Sequence, residues 1–305
     1  MRILLTGATG FIGKAVLERL LFRGDSVTAL TRQEPKALAE RPNLRFAKWD
    51  PRSDGAWQNE LEGHDAIVHL AGESAVGMRW NDEVKKQIRD SRVESTERIV
   101  TAFTRVSQKP RVLVCASGAG FYGGRSDAEP LDESSPPGRD FLAHVCIDWE
   151  DAAHGAERYG ARVVSARIGF VLGKGGGALG KLVPIFKKGI GGRIGSGKQM
   201  VPWIHIDDVV GGILHAIADP TVLGPINLSA PHAVSNADFT VALAKALGKS
   251  APFPVPPFAL KLLYGEGALP ILTGQNALPR VLQEHGYPFR FPLLEEALTD
   301  IFKSP

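Results

Sequence analysis

Residues 2–24 read RILLTGATGFIGKAVLERLLFRG. Arg2–Thr6 is a short, mostly apolar run of strand type. From about Phe11 to Arg23, apolar residues recur at helical spacing, and Gly24 is placed to cap the helix end. Between them Gly7, Gly10 and Gly13 stand three apart, directly after the strand and opening the helix. Each glycine has a separate task. Gly7 permits the tight turn, Gly10 lets backbone approach a pyrophosphate, and Gly13 lets the helix pack on the sheet. Free N–H groups at the helix start then face negative charge. The turn, with Thr9, Phe11 and Ile12, reads as a dinucleotide-phosphate site. The alternative is a tight strand–helix turn with no ligand.

Outward from that turn, further strands are predicted at Ser26–Thr31, Leu44–Lys48, Ala66–Leu70, Arg111–Ala116, Arg162–Ile168 and Pro225–Leu228. Several are nearly all apolar, as strands buried on both faces of a parallel sheet should be. Helices are predicted from an Asn81 cap to about Phe103, and from about Asp140 to Arg158. The alternation predicts an α/β fold: a Rossmann-type doubly wound parallel sheet with a smaller C-terminal substrate lobe. The expected division is a dinucleotide-binding domain over 1–170, completed by about 203–228, and a substrate lobe from 171–202 and 229–305. "PFPVPP" at 252–257 reads as a stiff extended connector.

The second strand ends "TALTRQ". An NAD site usually carries Asp or Glu there for the ribose 2′-hydroxyl. Here Thr31 and Arg32 hold the place, and a guanidinium suits a 2′-phosphate through forked, charge-assisted hydrogen bonds. NADP(H) is therefore predicted over NAD(H); the alternative for Arg32 is a solvated surface charge.

The chain has 305 residues, 44% of them hydrophobic and 23% charged, which excludes disorder and permits a large core. A net charge of +3 is too weak to imply nucleic acid, yet suits a small, anionic substrate. Two cysteines, Cys115 and Cys146, supply neither a disulfide framework nor a zinc site. No apolar run is long enough to span a membrane, and the N-terminus does not read as a signal peptide. A reducing, cytoplasmic setting is expected. The oligomeric state is not readable.

At "TGATGFIG", "DAIVHLAGE", "SGAGFYG" and "WIHIDD" the chain resembles the atypical extended short-chain dehydrogenase/reductases. More narrowly it is similar to YfcH-type epimerase-family proteins with a DUF1731-type C-terminus. "SRVEST" at 91–96, "GGGALGKLVPIFKKGIGGRIGSGKQ" and "GEGALPILTGQNALPR" carry the narrower likeness. The resemblance implies NADP(H) between the two lobes. It places Asp50 on the adenine, and Leu70, Ala71 and Gly72 beneath the adenosine ribose. Ser117 falls at the nicotinamide, and Glu73, Arg79, Trp80, Trp203 and His205 fall on the substrate cleft.

That superfamily works with Ser/Thr plus Tyr-x-x-x-Lys, in which the lysine lowers the phenol's pKa from the same helix face. Here the residues four beyond Tyr122, Tyr159, Tyr264 and Tyr287 are Ser126, Val163, Ala268 and Phe291. The pair is absent. Anchoring the helix on Glu150 puts Leu142 in the tyrosine place and Cys146 in the lysine place. Ser117, Tyr122 and Cys146 are the candidate catalytic residues; Cys146 would shuttle a proton only if something lowered its pKa, and is otherwise a buried inert thiol. "GGGALGK" and "GRIGSGK" imitate a P-loop but lack the Ser/Thr that holds Mg²⁺, having Leu182 and Gln199 instead. They are read as a basic flap or a plain connector. No metal site is expected. Two functions are compatible with these residues: an NADP(H)-dependent oxidoreductase or epimerase-like enzyme with an unusual acid/base set, or a non-catalytic NADP(H)-binding regulatory protein of the kind labelled cell-division inhibitor.

Overall fold

The computed structural model describes residues 1–34, 41–125 and 128–303. Seven parallel strands form the central sheet: β1 (Arg2–Thr6), β2 (Ser26–Thr31), β3 (Leu44–Lys48), β4 (Ala66–His69), β5 (Val112–Gly118), β6 (Arg162–Ile168) and β7 (Gly224–Leu228). Their order is β3-β2-β1-β4-β5-β6-β7. Ile3 lies between Val27 and Ala66. All four β4 residues are buried, because helices cover both faces. The order reverses between β1 and β4, and a crevice opens at such a point beyond the strand ends.

Helix α1 (Phe11–Phe22) buries Gly13, Val16, Leu17 and Leu20, the i, i+3, i+4, i+7 stripe of a sheet-facing helix. Full burial of a residue such as Leu20 contributes about 1.5–3 kcal/mol. Gly24, at φ +80°, ends the helix as expected. Asn81 caps α2 (Asp82–Asp90), accepting from the Val84 N–H at 2.8 Å. The single helix predicted from there to about Phe103 is instead two, with α3 running Val93–Ala102. At the junction Arg92 adopts φ −103°, ψ −61°, and the Ser95 and Thr96 hydroxyls bond back to Ser91 O and Arg92 O. Such back-bonding bends helices. Helix α4 (Phe141–His154) is capped by Asp140 and ends four residues before the predicted Arg158; a 3₁₀ turn at Glu157–Tyr159 follows. One face of the sheet packs on α1 and α6 (Ile206–Ala218), the other on α3 and α4.

A second core lies outside the sheet. Helices α5 (Gly177–Lys187), α7 (Asn236–Ala246) and α9 (Leu294–Lys303) bury Phe186, Trp203, Phe239, Leu243 and Leu298 together. The connector around Val255 pairs with Arg193–Gly195 through two backbone hydrogen bonds. The C-terminal stretch does not stay wholly within this lobe: Leu282, Tyr287 and Phe289 pack on the sheet core. Asp208 clamps that return, its carboxylate accepting from the Arg290 N–H (2.7 Å), the Phe291 N–H (2.9 Å) and the Tyr287 hydroxyl (3.0 Å).

Candidate dinucleotide groove and adjoining cavity

Gly7 sits at φ +71°, and a Cβ there would lie 2.8 Å from the Leu70 carbonyl carbon. A Cβ on Gly13 would meet Gly7 O at 2.0 Å, so α1 presses directly on the turn. A Cβ on Gly10 would meet only Gly7 O, at 3.2 Å, and otherwise faces open space. Helix α1 starts at Phe11 with no side-chain cap and no acidic residue in its first turn. Its first N–H groups are therefore available to an anion, and the turn fits a pyrophosphate. The glycines of 173–177 serve a different purpose. A Cβ on Gly173, Gly176 or Gly177 would lie 2.4–2.8 Å from the Phe11 ring, which they cover.

The floor of the groove is tied down by a buried relay. Thr6 Oγ1 accepts from the Leu70 and Ala71 N–H groups, both at 3.2 Å, and stands 2.7 Å from His69 Nδ1. With its lone pairs engaged, the hydroxyl donates to Nδ1. His69 is then the Nε2–H tautomer, facing Ser95 Oγ at 3.3 Å. Burial pushes its pKa down from 6.5 to about 3. Gly72 packs against the Arg92 side chain.

At the outer rim Thr31 is buried, and its hydroxyl accepts from the Gln33 N–H. Arg32 and Glu73 are both exposed and pair at 2.9 Å. A pair this open is worth at most about 1 kcal/mol and exchanges partners readily. Asp50 accepts from the Arg52 N–H (2.9 Å) and the Ser53 hydroxyl (2.7 Å), bonds that hold it below the usual carboxylate range.

Beyond β5 and β6 the groove gives way to a cavity of about 730 Å³. Ser117, Gly118 and Ile168 form its floor, and α4 (Leu142, Val145, Cys146) forms one wall. Trp80, α5 and α8 (Pro257–Tyr264) complete it.

The sequence profile of the NAD dependent epimerase/dehydratase family matches residues 3–228, and that of a domain of unknown function (DUF1731) matches 255–301. The chain belongs to the NAD dependent epimerase/dehydratase family. The "Epimerase family protein SDR39U1 homolog, chloroplastic" of Arabidopsis thaliana is 39% identical over 99% of this chain and 87% of its own length. The human epimerase family protein SDR39U1 is 37% identical, covering 99% of both chains. A crystal structure of human SDR39U1 (isoform2) with NADPH superposes with a TM-score of 0.88 at 35% identity, covering both chains fully. A UDP-glucuronic acid 4-epimerase from Bacillus cereus, at 20% identity and a TM-score of 0.80 over 99% of this chain and 98% of that one, shares the fold.

In this epimerase-family chain, Leu142 and Cys146 lie one turn apart on α4 and close over Gly120, where a Cβ would stand 3.4 Å from Leu142 Cβ and 3.9 Å from Cys146 Sγ. Neither is the acid/base group the superfamily pattern calls for. Burial pushes the Cys146 thiol up to about 11, so the condition for a proton shuttle there is not met and the inert-thiol alternative is favoured. Ser117 lines the cavity floor, but its hydroxyl donates to Glu150 Oε1 at 2.7 Å. Tyr122 is fully buried away from the cavity wall and donates to Asn227 Oδ1 at 2.8 Å; burial pushes it up to about 12. Its hydroxyl is tied to Asn227 and Arg167 and does not line the cavity.

Behind both stands a pair that sequence reading missed. Arg167 grips Glu150 through two bonds, Nε–Oε1 at 2.9 Å and Nη2–Oε2 at 2.8 Å, and also donates to the Tyr122 hydroxyl. Burial works against the Arg167 charge, but the Glu150 carboxylate overrides it and raises the pKa. Arg92 was missed too. From the α2–α3 junction it reaches the cavity wall, donating to Ile88 O (2.9 Å) and Glu73 O (2.8 Å), over the Trp149 ring.

Of the residues assigned to the substrate cleft, Trp80 lines it, its indole N–H on Ala75 O. Glu73 is turned to Arg32, and Arg79 donates to Leu262 O. Trp203 is buried, bonded to His232 O. His205 is the buried N-cap of α6, Nδ1 accepting from the Asp207 N–H. Trp203 and His205 hold the scaffold, while Glu73 and Arg79 stay exposed at the surface. Among the described residues no group of three or more His, Cys, Asp or Glu gathers for a metal, and no helix is long and apolar enough to cross a membrane.

Proposed function

We propose that the chain binds NADP(H) and transfers hydride to or from a small molecule held above Ser117, as an epimerase/dehydratase-type oxidoreductase without a Tyr–Lys pair. The observation that carries this is the opening at Gly10, which leads to the uncapped start of α1 with Arg32 at the end of the neighbouring strand. The NADPH in the human SDR39U1 structure supports the same coenzyme here. Within this reading Gly10 leaves room for the pyrophosphate, the Phe11 and Ile12 N–H groups hold it, and Arg32 leaves Glu73 for the 2′-phosphate. Asp50 and Leu70–Gly72 border the adenosine. The nicotinamide, when bound, supplies or accepts the hydride. Ser117, its hydroxyl hydrogen directed at Glu150, faces the ligand as an acceptor and orients a substrate hydroxyl. A reducing, cytoplasmic setting belongs to the same proposal.

Calorimetric dissociation constants for NADPH and NADH test it. NADPH should bind at least about tenfold more tightly, and Arg32→Ala should erase most of that preference. Equal or tighter binding of NADH by the wild type overturns the assignment.

One observation favours a second, non-catalytic reading: the positions of the missing pair hold a leucine and a thiol that stays protonated. Incubating the NADPH complex with a carbonyl panel, using 4-deuterated coenzyme, separates the two. Stereospecific label transfer excludes the regulatory reading. Tight NADPH binding with no transfer across the panel favours it.

A further inference from the structure

Most polar side chains on the cavity wall already have a partner within the chain, with the Tyr264 hydroxyl among the exceptions. Asp140 caps α4 and accepts from the Gly124 N–H. Gln199 donates to Ile194 O, Asn236 accepts from the Ile194 N–H, and Gln275 donates to Gly123 O. The Thr240 and Thr273 hydroxyls donate to carbonyls on their own helical turns. Lys181, at the exposed mouth, donates to Val76 O. Among the described residues, Arg92, Asp140 and Lys181 are the charged side chains on the wall.

Arg92 differs from the other two. A guanidinium carries five N–H donors. Its bonds run from Nη1 to Ile88 O and Ser91 Oγ and from Nη2 to Glu73 O, which leaves Nε–H and one Nη2–H. No carboxylate among the described residues forms an ion pair with it, and Cys146, its neighbour across the wall, remains a neutral thiol. Burial works against the Arg92 charge, and the one carboxylate that offsets this is the exposed Glu73, which pairs with Arg32, so an anion reaching Arg92 from inside the cavity relieves that cost. Apart from those polar side chains the wall is mostly apolar, from Val145, Ile168 and Phe170 inside to Ile185, Ile190 and Leu263 at the mouth. Those last three are substantially exposed, so an apolar rim leads into an apolar interior.

We propose that this cavity takes a molecule with an apolar body and one carboxylate end, the carboxylate seated on Arg92, and not a nucleotide sugar. The assignment deepens the hydride-transfer reading and rests on it for the reacting end. Its physical basis is the cost of burying hydroxyls. Sugar hydroxyls placed against the apolar stretches of the wall lose water without gaining a partner, and a diphosphate would find a single interior cation.

The test is calorimetric titration of the full chain with decanoate, decan-1-ol and UDP-glucose, with and without saturating NADPH. Decanoate should bind at least about tenfold more tightly than decan-1-ol. Arg92→Gln should bring decanoate down to the alcohol's level and leave the alcohol unchanged. Leu263→Glu, at an exposed position that folding tolerates, should weaken both. UDP-glucose should neither bind nor displace decanoate. Displacement of decanoate by UDP-glucose overturns the proposal, as does equal binding of decanoate and decan-1-ol by the wild type. So does a decanoate affinity that neither variant changes. NADPH binding, read in the same samples, reports separately on the coenzyme: its failure with decanoate still binding sinks the hydride-transfer reading alone.

Discussion

One added methyl group should act differently at Gly10 and at Gly13. At Gly13 it would drive into Gly7 O at 2.0 Å, so Gly13→Ala is expected to lose about 1–3 kcal/mol in denaturant unfolding. At Gly10 the backbone, φ −79° and ψ 173°, suits alanine, and the space ahead is open. Gly10→Ala should keep its melting temperature and lose at least about tenfold in NADPH affinity. A pair of variants with equal stability losses and unchanged NADPH binding would refute the division of labour. His69 supplies a second residue-scale expectation. It is neutral in the fold, at about 3, against 6.5 when free. Below pH 6.5 the unfolded chain takes up a proton that the native state refuses. Stability is therefore complete above 6.5 and falls as pH drops toward 3, at up to about 1.4 kcal/mol per pH unit. His64 and His205 are lowered as well, by burial, and share the slope. His69→Asn should remove one proton's worth of it in pH-dependent unfolding. An unchanged slope would show that His69 is already charged in the fold.

The elements that sequence alone could locate are those whose burial pattern repeats. Strands β1, β2, β3 and β6 match their predicted bounds because their apolar runs end at turn residues. The α2–α3 break was not legible. It depends on hydroxyls that bond backwards, and Ser95 and Thr96 do not differ in composition from residues of a continuous helix. The Glu150–Arg167 pair was hidden for another reason: it joins α4 to β6 across 17 residues, and no local period marks it. The groove was readable from glycine spacing. The scaffold roles of Tyr122, Trp203 and His205 follow from tertiary partners, which spacing does not encode. Glu150 and Arg167 are 7% and 4% exposed, so breaking the pair strands a buried charge. Glu150→Ala should cost about 3–5 kcal/mol in chemical denaturation. A loss under about 1 kcal/mol would mean that water reaches Arg167.

At the scale of the whole molecule, the sheet supplies the coenzyme groove and the second core closes the cavity beside it. The C-terminal segment crosses between them, held by Asp208 and by Glu133, whose carboxylate accepts from the Asn227 and Val281 N–H groups. The two compartments meet at Ser117. That arrangement gives meaning to the Arg32–Glu73 pair, which lies on the far rim and costs little to open. The most direct measurement is a crystal structure of the chain soaked with NADPH. It should show the pyrophosphate on the Phe11 and Ile12 N–H groups, Arg32 turned from Glu73 to the 2′-phosphate, and the nicotinamide beside Ser117. A coenzyme bound elsewhere, or a 2′-phosphate left in solvent with Arg32 still on Glu73, would contradict the account.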